Sequence, residues 1–318
     1  MQGIVVDTQR KLTNNDLGSV LKNIGIEEIR QARKKRLVIS MLTVYGDDSS
    51  DARGVRTFSV AGILGTQDEW DALKLVWVKR TGGKIFHATD CESGHGEYKD
   101  IPYDERFKEY KDLTKILAQT KMIGLGFAMD IDGYKTFMPD PHENGPYYHC
   151  FSGVVMGLAE TAYFHVPQQT VKFIFDINHK VKYNTAFLYE NYLTNIEDWK
   201  YSSYLEDELG FATSKTIGIQ VADLFAHETM KHFDNQSALN QPHIRESLNA
   251  LFDTDRFKCF FYTKEYCQNF RNKYDALERG AGQVGAISKD YKKWLSEHNC
   301  QDNCENKTRY LIHCETAN

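Results

Sequence analysis

Short apolar runs alternate with amphipathic helical stretches along this chain, and the alternation opens with two strands in succession. LVISMLTVY (37–45) reads as a buried strand, GDDSSDARGV (46–55) as a turn and RTFSVAGILG (56–65) as a second strand. Two β-rich runs around a polar, glycine-containing turn make a hairpin. A helix follows, then the short strand KIFHATD (84–90), a helix over about 104–119 and the strand MIGLGFAMD (122–130). Next come an apolar helix (147–164), the strand VKFIFD (171–176), a helix over about 183–197, an irregular stretch (200–218) and the helix IQVADLFAHETMKHF (219–233). Such alternation belongs to a three-layer α/β domain, and the opening hairpin makes its central sheet mixed.

Local signals sharpen this outline. Thr66 with Glu69 three residues on is a capping box, so a helix starts there. Trp70, Leu73, Val76 and Trp77 follow at helical spacing and belong to the core. The loop 131–146 holds three of the six prolines and is expected to be exposed. The α/β domain spans 37–235. Ahead of it, 1–36 is a polar, helical extension ending in RQARKKR (30–36), either a solvated face or a phosphate contact. After it, 236–318 is expected to be a polar, helical extension.

Composition removes several classes of function. The net charge of −5 gives no global basic field, so any nucleic-acid contact must be local. Apolar runs stay under ten residues, too short to span a bilayer as a helix, and the first residues lack a signal-peptide profile. Seven scattered cysteines fit a reducing compartment better than a disulfide framework. A cytoplasmic protein without a membrane partner is expected; a protein partner or a homo-oligomer remains open.

The chemistry is carried by acids at the edges of the most apolar segments. Asp47 and Asp48 close the first strand, Asp176 closes VKFIFD, and Asp223 sits within the apolar helix that starts near Ile219. A buried carboxylate costs several kcal/mol, about, unless a cation or donor compensates it. Gln220, Asp223 and His227 share one face of that helix at i, i+3 and i+7. Ligand sites of open α/β sheets lie just beyond the carboxyl ends of strands, and clustered carboxylates there suit Mg²⁺ or Mn²⁺. Each acid alone could equally be a helix cap or an ion-pair partner.

Taken in order, VYGDDSSD (44–51), KIFHATD (84–90), FIFDINHK (173–180) and GIQVADLFA (218–226) resemble the bacterial and phage domain-of-unknown-function family 3800, which is grouped with the RNase H-like fold. The resemblance covers roughly residues 38–233, and the closing helix is its most specific part. That family opens on Tyr-x-Asp-Glu-Ser-Gly; here Asp48 stands for the Glu, and Ser49 with Ser50 for the Ser-Gly. The resemblance implies that Asp47, Asp176 and Asp223 hold two divalent ions, Mg²⁺ or Mn²⁺, with Asp48 and Asp90 completing the shell. Asp130, which also ends a strand, is the rival of Asp90. It further implies a nuclease acting on DNA or RNA, with His87 catalytic. Gln220, His179, Lys180 and His227 would support the site, and Lys180 or Lys215 would meet the phosphate.

Other readings stay open. One is a catalytically silent module of the same fold that binds nucleic acid or a protein partner, in phage defence; another is a hydrolase for small phosphoesters. Cys300, Cys304 and Cys314 with His298 and His313 have the residue types, though not the regular spacing, of a zinc site.

Overall fold

The computed structural model describes residues 42–138, 144–166, 169–196, 199–237 and 244–280. The extension 1–36 and the cysteine and histidine cluster near residue 300 lie outside the described residues.

Six strands form one mixed sheet. They are β1 (Leu42–Ser50), β2 (Thr57–Thr66), β3 (Ile123–Asp130), β4 (Val171–Asp176), β5 (Gly210–Ala212) and β6 (Phe257–Tyr262). Their order is β5-β4-β1-β2-β3-β6. β2 alone runs against the rest, since β1–β2 and β2–β3 are antiparallel and the other three pairings are parallel. The opening hairpin therefore sets β1 in the interior of the sheet, between β2 and β4.

Nine α-helices accompany these strands among the described residues: α1 (Gln67–Thr81), α2 (Ala88–Ser93), α3 (Tyr103–Ala118), α4 (Ile131–Phe137), α5 (Gly145–His165), α6 (Lys182–Asn191), α7 (Ile217–Ser237), α8 (Glu246–Phe252) and α9 (Lys264–Gly280). Side chains of successive strand residues point to opposite faces. Val44, Val60, Phe173 and Phe175 accordingly join Phe151 and Val154 of α5 in one apolar cluster. Ala61 and Ile63 join Trp70, Trp77, Leu224 and Phe225 in another, where α1 and α7 pack. The sheet is thus covered on both faces, as three layers require.

The tight turn after β1 has its own anchor. Asp51 accepts backbone N–H groups from Val55 (2.9 Å), Arg56 (2.8 Å) and Thr57 (3.1 Å). Although burial pushes its carboxyl up, these bonds outweigh it and hold the pKa below the usual range. The third acid of the DDSSD run is therefore a loop staple.

Several expectations change. Residues 84–87 form no strand; Ile85 and Phe86 lead straight into α2, with His87 as its N-cap. The segment 131–146 is not an exposed loop throughout, because α4 buries Ile131 and Tyr134. Val76 stands on the outer side of α1, 46% exposed, while Trp70, Leu73 and Trp77 are buried. The region after 236 is not wholly helical, since β6 extends the sheet alongside β3. The capping box of Thr66 and Glu69 is present as read.

Candidate active site

The site forms where two strands part. The last pair joining β1 to β4 is Gly46 with Phe175, whereas β1 continues against β2 as far as Ser50. Asp47 and Asp48 on one strand and Asp176 on the other stand at this fork, at the carboxyl end of both parallel strands. Gly46 permits it, because a Cβ there would run into the ring of Phe175. Asp47 shares the face of Tyr45, over which α7 passes with Gly218 laid on the tyrosine ring. Asp48 shares the face of Val44, on the α5 side.

A cleft of about 460 Å³ opens over the fork, lined by Asp47, Asp48, Asp176 and Asp223, with His87 and Lys180 at its walls. Asp223 is 5% exposed. Its Oδ2 accepts the N–H of Ala88 at 2.6 Å, and its Oδ1 lies 4.0 Å from His87 Nε2. Asn178 Nδ2 donates to Asp48 Oδ1 at 3.5 Å. Among the described residues no lysine or arginine forms an ion pair with any of the four acids.

Buried to varying degrees and without a lysine or arginine partner among the described residues, these carboxylates all hold their protons more tightly than usual. Burial pushes Asp47 well up, and the charges of Asp223, Asp48 and Asp176 add to it. Burial also pushes Asp48 to about 6; the Asn178 hydrogen bond opposes this, and Asp176 and Asp223 reinforce it. For Asp176 burial again leads, opposed by the Ile177 N–H, His87 and His179. For Asp223 burial is opposed by His87, the Ala88 N–H and His227.

The remaining expected residues divide. His87, His179, Lys180 and Gln220 line the cleft. Gln220, however, is occupied at both ends of its amide. Its Oε1 accepts Trp77 Nε1–H at 3.1 Å and the Phe86 N–H at 3.2 Å, while its Nε2 donates to the Ser214 carbonyl at 2.8 Å. Its work is to fasten the segment before His87 onto α7. His227, two turns beyond Gln220, is buried against Glu92 at 3.0 Å and does not line the cleft. Against the upward push of burial, His227 and Arg245 hold Glu92 below the usual carboxylate range.

Asp90 is not brought into the cleft. It faces Gly96 and stands 4.0 Å from His87 Nδ1, behind the imidazole. Asp130 caps α4 by accepting the Gly133 N–H at 2.8 Å and is also elsewhere. Lys215 does not line the cleft, though Ser214 does. Cys91 is buried, and burial pushes its thiol up to about 12, so it is inert filler.

Two contributors escaped sequence reasoning. Asn178 lies inside FIFDINHK, two residues beyond Asp176, and an asparagine just past a strand-ending acid was the available signal. The Ala88 N–H had none, since a backbone donor leaves no mark in a sequence.

Comparison with protein-family profiles, with curated proteins and with solved structures finds no match to this chain. No helix among the described residues is long and apolar enough to cross a membrane.

Proposed function

We propose that this protein is a divalent-metal-dependent phosphodiester hydrolase, a nuclease of RNase H-like architecture. One observation carries the reading: four carboxylates from β1, β4 and α7 line a single cleft, and no lysine or arginine among the described residues neutralises them. Mutual repulsion in a partly buried site calls for a cation. An interior first strand and acids drawn from β1, β4 and a late helix also support the architecture that the sequence motifs imply.

The donor set suits the ion. Asp47, Asp48, Asp176 and Asp223 offer only oxygen, the preference of Mg²⁺ and Mn²⁺. Bound there, such ions would activate water and stabilise the leaving oxygen in a phosphoryl displacement. Asp223 is fixed by the Ala88 N–H, Asp48 by Asn178, and His87 stands half-exposed at the cleft wall between Asp90 and Asp223, where it would orient a phosphate or carry a proton.

A second reading has an observation of its own. Among the described residues no three His, Cys, Asp or Glu side chains converge tightly enough to hold an ion as they stand. A binding module that uses the same cleft without turnover would accommodate that. Calorimetry with Mn²⁺ and Mg²⁺, beside cleavage assays on DNA and RNA oligonucleotides, separates the two. The hydrolase reading expects binding and cleavage by wild type, both lost in Asp47→Asn/Asp223→Asn with the circular dichroism spectrum unchanged. Cleavage surviving in that double variant would sink it.

A further inference from the structure

The acidic floor of the cleft is bordered by a lysine and a histidine that form no ion pair among the described residues. The turn after β4 carries them, His179 and Lys180, both exposed and both lining the cleft. The turn that presents them is ordered. Asn178 Oδ1 accepts the Lys180 N–H at 3.1 Å, and the Asn178 carbonyl accepts those of Val181 (3.1 Å) and Lys182 (2.9 Å). In the first turn of α6, three residues beyond Lys180 and just outside the cleft lining, Tyr183 leaves 64% of its surface in solvent, with Lys182 Nζ 6.0 Å from its ring. Across the cleft stands His87, its side chain 49% exposed. In the floor, the Asp223 side chain is only 7% exposed, and its Oδ1 lies 4.0 Å from that imidazole.

We infer that this cleft takes a single unpaired nucleic-acid strand, with one phosphate held by Lys180 and an adjacent base stacked on Tyr183. The inference rests on the hydrolase reading and names its substrate. Three features favour an unpaired strand. A volume of about 460 Å³ falls within the range of small-ligand sites, about 300–1,000 Å³, and so admits one nucleotide unit at a time. An exposed tyrosine offers a stacking platform only to a base freed from its partner. Duplex binding through phosphates calls for a broad array of lysines and arginines, whereas among the described residues Lys180 is the one lysine or arginine lining this cleft, and the whole chain carries a net charge of −5.

The test uses the full chain, with fluorescence anisotropy on labelled 12-nucleotide single strands of DNA and RNA and on the matching duplexes, in Ca²⁺. Single strands should bind at least about tenfold more tightly than duplex. Tyr183→Ala and Lys180→Gln should each weaken strand binding about tenfold, and Lys180→Gln should lower the salt slope by about 0.7. Both side chains are exposed, so thermal midpoints should not move. Mn²⁺ calorimetry on the same samples keeps the two ideas apart. If Mn²⁺ binds normally but duplex matches single strand, or Tyr183→Ala changes nothing, the strand proposal is overturned while the hydrolase reading stands. Competition by free mononucleotide as strong as by strand would overturn it too, in favour of a small phosphoester. Strand binding in a wild type that takes up no Mn²⁺ would support the strand site and remove the hydrolase reading alone.

Discussion

Asp223 Oδ2 accepts the Ala88 N–H at 2.6 Å, so an acid on α7 is held by the first residue of α2, 135 positions away in sequence. The same contact brings His87, the residue just before Ala88, within 4.0 Å of the other carboxylate oxygen. Ala88→Pro removes this donor at a position where helices tolerate proline. The backbone of His87, at φ −135° and ψ 121°, already suits a following proline. The proline ring would also crowd Oδ2. The Asp223 pKa should rise further, Mn²⁺ affinity should fall, and stability should drop by about 1–3 kcal/mol. NMR titration of the carboxyl carbon and urea unfolding would check this; an unchanged Asp223 titration would refute it.

Asp48 makes the ion-free protein sensitive to pH. Burial pushes its carboxyl up to about 6 in the folded chain, from an ordinary value of 3.8. The folded state therefore binds this proton more tightly than the unfolded state does. The associated stability is complete below about pH 4 and is lost as pH rises through about 6. Asp48→Asn never ionises, so without divalent ions it should gain on wild type across that window, by about 1–3 kcal/mol at pH 7. Asp51, whose pKa is lowered, pulls the other way in both proteins and cancels in the difference. Urea midpoints from pH 4 to 8 measure the gain, and a difference that does not vary with pH would contradict this account.

Gln220→Leu should be costly although no chemistry is assigned to Gln220. It strands the Trp77 Nε1–H and the Phe86 N–H in the interior. Each unsatisfied buried donor costs about 1–3 kcal/mol, so a loss of about 2–6 kcal/mol is expected in denaturant unfolding, with altered tryptophan fluorescence. A loss under 1 kcal/mol, roughly the worth of one ordinary hydrogen bond, would show that the latch is unnecessary.

Gly46→Ala tests the fork itself. The new methyl group meets the Phe175 ring, and overpacking of this kind costs about 1–3 kcal/mol. Because Asp47 is the next residue, divalent-ion affinity should fall as well. An unchanged thermal midpoint would mean that the strands yield there freely.

Asp90→Asn should leave Mn²⁺ affinity within about twofold, a change of roughly 0.4 kcal/mol, because the carboxylate faces Gly96 rather than the cleft. A tenfold loss in calorimetry would return Asp90 to the ligand set.

The parts of the fold legible in the sequence were those whose signals are local. The hairpin, the Thr66–Glu69 capping box and the alternation through α7 are written in neighbouring residues. Where partners are remote, the signal failed. Ile85 and Phe86 look like a strand, yet Gln220, more than 130 residues later, takes the Phe86 N–H in place of a neighbouring strand. The strand β6 was hidden because FKCFFY lacks clean alternation, and as an edge strand it leaves Phe260 47% exposed. In the site, strand-end acids were readable because apolar runs seldom end on bare charge. Whether an acid faces the fork or turns away, as Asp47 and Asp90 do, depends on tertiary packing that spacing does not encode.

The latch at Gln220 separates two kinds of constraint within a single turn of α7. Gln220 answers to Trp77, Phe86 and Ser214, and its bonds hold the scaffold together. Asp223, three residues on, spends one oxygen on Ala88 and leaves the other to the cleft. A sister sequence that kept the glutamine but carried a neutral residue at 223 would have this scaffold with its chemistry switched off. One that lost the glutamine would have to rebuild the wall on which His87 stands.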